Sequence, residues 1–131
     1  MKKLLAISSL AFVLTGCMSA DPVPVPVPLL KQPLCVAADL THAPVGFSNA
    51  ILASLQKRGI RAYFAKPNEL ANCSSILRVS LRNNQTIIGR ARLTVEQNNR
   101  IVGLVAYNKR QNRVKLDLQS QTDVMINTLF R

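Results

Sequence analysis

The sequence has no tryptophan, one histidine, five glycines and six acidic residues, and aromatic residues make up only 5% of it. Each shortage excludes something. A nucleophile, its base and an oxyanion stabiliser must sit within reach of one another, and a single histidine, His42 in a Thr41-His42-Ala43-Pro44 loop, leaves little to build from. Five glycines supply no phosphate-cradling loop. Two cysteines beyond Cys17, with His42, give no spaced set of metal ligands, so neither metal nor cofactor is expected.

The carboxylates are scattered. Asp21 lies in a proline-rich run, Asp123 is expected to cap a helix, and Glu96 falls at a strand end beside arginines. Asp39 and Glu69 remain, in separate loops. A hydrolase would need a pocket joining Asp39, Glu69 and His42. No catalytic residue is assigned, and a non-enzymatic role is expected. Sparse aromatics offer no platform for stacking bases or sugar rings. No apolar run reaches the roughly 20 residues that span a bilayer.

What is present is basic charge. The 131 residues carry 17 Lys+Arg, a formal charge of +11, and are 48% hydrophobic, enough for one packed domain. Such charge first suggests nucleic acid, but the N-terminus argues otherwise. Lys2 and Lys3 precede a short apolar run from Leu4 to Leu14, the pattern of a cleaved export signal. Leu14-Thr15-Gly16-Cys17 then resembles the lipobox of bacterial lipoproteins. That resemblance implies cleavage of residues 1–16, acylation of Cys17 and attachment to membrane lipid. Several acyl chains make a lasting anchor where one is marginal. Met18, rather than Asp, after the cysteine implies the outer membrane, with the domain facing the periplasm. Losing Lys2 and Lys3 leaves 15 basic groups against 6 acidic ones, or +9, in a compartment without nucleic acid to bind.

Residues 17–33 read as a lipidated cysteine followed by a stalk. Pro22, Pro24, Pro26 and Pro28 alternate with valines, which fixes φ, removes donors and favours extended polyproline II. Docking into an aromatic groove is the alternative use of such a run.

Residues 34–131 read as one small domain. Leu34 to Ala38 is a short apolar strand, and Phe47, Ile51, Leu52 and Leu55 recur at helical spacing before a stop at Gly59. Ile60 to Ala65 is a second strand, expected to lie parallel to the first through a right-handed crossover. From Leu77 the period becomes two. Leu77, Val79 and Leu81 alternate with Arg78, Ser80 and Arg82; the next strand takes in Ile87 and Ile88 and then Ala91, Leu93 and Val95, alternating with Arg90, Arg92, Thr94 and Glu96. Turns are placed at Asn83-Asn84 and Gln97-Asn98-Asn99-Arg100, and Ile101 to Tyr107 completes an antiparallel meander. Asn108 to Val114 is a polar loop, and Ser120 to Asp123 has the form of a capping box opening a C-terminal helix. The order β-α-β-β-β-β-α predicts an α+β two-layer sandwich: a mixed, mostly antiparallel sheet with two helices on one face.

Cys35 and Cys73 form an even pair in an oxidising compartment, so a disulfide is expected, with two buried thiols as the alternative. Cys35-Val36, a helix ending at Gly59, Cys73, the strand Gly103-Leu104-Val105-Ala106-Tyr107 and the C-terminal helix together resemble a family of small Gram-negative envelope lipoproteins of uncharacterised function. That resemblance implies an α/β lipoprotein domain and carries over no catalytic residue.

Side chains two apart on a strand share a face. If Leu77 and Leu93 face the helices, Arg78, Arg82, Arg90 and Arg92 share the opposite face, with Lys109, Arg110, Arg113 and Lys115 nearby. Arginine forks suit phosphates and carboxylates. The expected partners are an anionic envelope polymer, lipopolysaccharide or an acidic envelope protein. The plainer reading is a solvated face kept soluble by charge. A second role is an accessory subunit of a secretion, conjugation or polymer-export assembly.

Overall fold

A computed structural model describes residues 21–82, 86–109 and 115–131. Cys17 and the lipobox, the Asn83-Asn84 turn, Arg110 and Arg113 lie outside the described residues.

The fold is α+β. Strand β1 (Leu34–Ala38) leads to helix α1 (Phe47–Lys57) and strand β2 (Ala62–Phe64). A 3-10 segment (Pro67–Asn72) precedes β3 (Ser75–Arg82), β4 (Arg90–Gln97), β5 (Arg100–Asn108) and helix α2 (Leu118–Leu129). The sheet order is β2-β1-β3-β4-β5. β1 runs parallel to both β2 and β3, and the meander β3-β4-β5 is antiparallel. Both helices pack their apolar stripes on one sheet face. Phe47, Ile51 and Leu55 of α1 and Met125, Ile126 and Leu129 of α2 share a core with Leu34, Val36, Leu77, Leu93, Val95 and Val105.

Local chemistry sets the ends of the elements. After α1 the Gly59 N–H donates to Gln56 O and the Ile60 N–H to Leu55 O, with Gly59 at φ +74°. This is a Schellman stop, and Ile60 is buried, as its apolar seal requires. Asn98 and Asn99 take φ of 53° and 64°, the paired left-handed values of a type I′ hairpin between β4 and β5.

Three expectations are corrected. First, α2 starts at Leu118, and its cap is Asp117, whose carboxylate accepts from the Ser120 N–H at 2.8 Å. Asp123 is inside the helix and faces α1 instead. Second, Ile88 is not in a strand. β4 begins at Arg90, and the backbone N–H and C=O of Ile88 are both satisfied by the buried side-chain amide of Gln121, each at 2.8 Å. That amide does what a neighbouring strand would otherwise do.

Third, the described part of the expected stalk is docked. Val25 is 3% exposed and belongs to the core, as does Leu30. The Val23 N–H donates to Leu104 O and the Leu104 N–H to Val23 O. The Val25 N–H donates to Leu129 O, the Val27 N–H to Arg131 O, and the Arg131 N–H to Val25 O. In an extended chain, N–H groups of alternate residues point to the same side. The valines therefore present their donors to β5 and to the chain after α2, while the prolines, which have none, face away. The Pro-Val repeat is a strap along the edge of β5, and its outer rim has no proline N–H to recruit another strand. The strap depends on Gly103. A Cβ there would collide with Val25 Cγ2 and lie 3.2 Å from both Leu129 Cδ1 and Val23 O.

Candidate basic sheet face

The face away from the helices divides into a covered part and an open part. Over β1, the disulfide Cys35–Cys73 ties the end of the 3-10 segment down, with Cα atoms 6.3 Å apart. Cys35 and Ile76 are buried beneath it although they point away from the helices. The Tyr63 hydroxyl lies 3.3 Å from Cys35 Sγ. A cleft of about 280 Å³ opens beside this cover, lined among others by Leu70, Asn72, Cys73, Ile76 and Asn98.

Over β3-β4-β5 the face is open. The register sets Arg78 beside Thr94 and Leu104, Ser80 beside Arg92 and Ala106, and Arg82 beside Arg90 and Asn108. All four arginines are exposed and lie on this one face, where strand alternation puts them. They are not equivalent. Arg78 Nε donates to Glu96 Oε2 at 2.8 Å, a diagonal cross-strand ion pair. Among the described residues, no carboxylate pairs with Arg82, Arg90 or Arg92. Arg82 stands directly opposite Arg90, where like charges repel at a cost of up to about 1 kcal/mol. The exposed Lys109 joins this end, because its N–H donates to Gly89 O beside Arg90. The result is an open basic patch, with small Ser80 and Ala106 between the arginines. Glu96 was within reach of sequence reasoning, since it shares the parity of Arg90 and Arg92.

The carboxylates considered for chemistry have local roles. Asp39 Oδ1 accepts from the Thr41 N–H at 3.0 Å, and hydrogen bonds from the Thr41 hydroxyl and backbone hold its carboxyl below the ordinary value. His42 sits in the same turn and adds a small favourable charge. Glu69 Oε1 accepts from the Lys66 N–H at 2.7 Å, capping the 3-10 segment. Backbone and side-chain hydrogen bonds from Ser120 likewise lower Asp117. Among the described residues, no group of three His, Cys, Asp or Glu side chains is placed to hold a metal ion, and no helix is long and apolar enough to cross a membrane.

Asp123 joins the helices. It accepts from Ser54 Oγ, Lys57 Nζ and Gln119 Nε2. Desolvation raises its pKa, but the three hydrogen bonds and the Lys57 charge outweigh this, and the net shift is downward. A carboxyl lowered by folding contributes stability that is complete above its unfolded pKa and is lost as pH falls through the folded value. Asp123→Asn is therefore expected to flatten the acid limb of the stability curve below about pH 4. Urea unfolding at pH 6 and pH 3 checks this: the loss between the two should be smaller for the variant.

No family model matches the chain, and no curated protein matches it in sequence.

Proposed function

We propose that this chain is a lipid-anchored, non-enzymatic envelope lipoprotein of the kind its sequence resembles. It acts at the outer membrane as a tethered interaction module, with its domain facing the periplasm. The lipobox at Cys17 supports the anchor. The observation that carries the binding role is the open sheet face, on which Arg82, Arg90 and Arg92 stand together with no acidic partner among the described residues. Three guanidinium forks on an open face suit a partner bearing several phosphates or carboxylates. Such an anion would relieve the repulsion between Arg82 and Arg90.

Changing Arg82, Arg90 and Arg92 to serine together should remove most retention of the protein on immobilised lipopolysaccharide or peptidoglycan, and salt should weaken wild-type retention. Arg78→Ser alone should change little, because Glu96 already balances that charge. Undiminished retention of the triple variant would remove the anion-binding role.

A second reading, an accessory subunit of an envelope assembly, draws on the far edge of the sheet. Strand β2 pairs only with β1 among the described residues, and Tyr63 on it is exposed. An edge of this kind can take an added strand from a partner. Detergent-solubilised protein that co-purifies with a defined protein complex, rather than with lipid or polymer, would favour that reading.

A further inference from the structure

The direction of the strap narrows what the basic patch meets. Val23 pairs antiparallel with Leu104, so the chain before Val23 heads toward the end of β5 that carries Asn108. Pro22 already follows that course, lining a small cleft with Ala106 and Asn108. Asn108 stands opposite Arg90, and Arg90 opposite Arg82. Pro22, at the described start of the strap, thus lies at the basic end of the domain.

The tether is also short. Cys17 is six positions before Val23, and an extended chain covers at most about 3.6 Å per residue, or about 20 Å in all. Strands lie about 4.8 Å apart, so β4 with Arg90 and Arg92 is about 10 Å from the strap and β3 with Arg82 about 14 Å. A tether this short keeps the patch within a few screening lengths of the lipid surface, each about 8 Å in physiological salt, and lets it come closer.

We propose that the basic end of the sheet rests on anionic phospholipid headgroups of the same leaflet that holds the Cys17 anchor. This deepens the lipid-anchored reading above and depends on it. The patch is open, with the small, exposed Ser80 and Ala106 between the arginines, and no aromatic side chain stands among its residues to stack on a glycan. An open face suits a surface of many phosphates better than a single enclosed ligand. A tethered leaflet is also always within reach, whereas a free polymer must arrive by diffusion. Acyl chains and a basic patch then act as paired membrane signals, the first holding the domain and the second orienting it.

The test uses the full lipidated protein, reconstituted into phosphatidylcholine vesicles with and without phosphatidylglycerol. Lysines are acetylated and read by mass spectrometry. Each basic side chain near an anionic leaflet contributes about a fivefold factor. Lys109 should therefore be labelled several-fold less on the phosphatidylglycerol vesicles, while Lys57 on α1 and Lys66 label equally on both. High salt, or serine at Arg82, Arg90 and Arg92, should abolish the difference. The N-terminal peptide in the same digest separates the two claims. An acylated Cys17 with equal Lys109 labelling on both vesicles overturns the membrane-resting inference alone, and an unacylated Cys17 overturns the anchor and the inference together. Protection of Lys109 by added lipopolysaccharide, but not by phosphatidylglycerol, would also overturn the inference while leaving an anion-binding face.

Discussion

Replacing Cys73 with serine is expected to lower the unfolding free energy by about 4 kcal/mol, the chain-entropy value for closing a loop of this length. The bridge spans 38 residues, and that loop contains α1, β2 and the 3-10 segment. The loss would be a large fraction of the 5–15 kcal/mol typical of a domain. For a chain of this size it corresponds to a fall in Tm of roughly 15–25 °C. The damage should also have a place. Cys73 ends the segment that covers the outer face of β1, so its release would expose Ile76 and leave the Cys35 thiol without its partner. Thermal unfolding without reductant, compared with wild type before and after reduction, checks this. A shift of only a degree or two would mean that the bridge joins parts already held together in the unfolded chain.

Gly103→Val should detach the strap. Gly103 pairs with Val95 at the edge of a register shift between β4 and β5, and its φ is not in the left-handed region, so what glycine supplies there is space. Any Cβ would meet Val25, and the branched methyls of valine would also press on Leu129 and the Val23 carbonyl. The strap is the softer body and should yield. Its displacement loses the burial of Val25, worth about 1.5–3 kcal/mol, and the backbone hydrogen bonds to Leu104, Leu129 and Arg131, each worth about 1 kcal/mol net. Strap entropy regained on release offsets part of this, so a net loss of about 3 kcal/mol is expected. Amide exchange should quicken at Leu104, Val25 and Arg131 but hardly change in β3 and β4. Pairing Gly103→Ala with Val25→Ala should recover part of the loss in a double-mutant cycle, because the two positions share one volume. Equal exchange protection in Gly103→Val and wild type would show that the notch is not what seats the strap.

The contrast between the meander and the strap shows what a sequence discloses. In β3 and β4 the alternation of Leu and Val with Arg sets the buried face, and that parity alone puts Arg78, Arg82, Arg90 and Arg92 together, as the register has it. The stop at Gly59 and the turn at Asn98-Asn99 are equally local, because each needs a backbone conformation few residues adopt cheaply. The strap obeys no local rule. Proline alternation predicts a solvated extended chain. Its docking depends on a notch at Gly103 and on carbonyls of Leu104, Leu129 and Arg131, far along the chain. Asp123 differs for a local reason: two capping signals stand close together, and Asp117 is the one at the true helix start. The loss of one arginine from the free patch, by contrast, was within reach, because Glu96 lies at the right parity to answer Arg78.

The strap also imposes an order of events. Its residues are among the earliest of the described chain to be made, yet Leu104, the first of its partners, comes some eighty positions later, and Leu129 and Arg131 later still. While the chain is still being synthesised, Val25 has no notch to enter and the edge of β5 does not yet exist. Contacts of such long sequence separation form slowly. The domain therefore cannot close on its leading segment until most of the chain has been made.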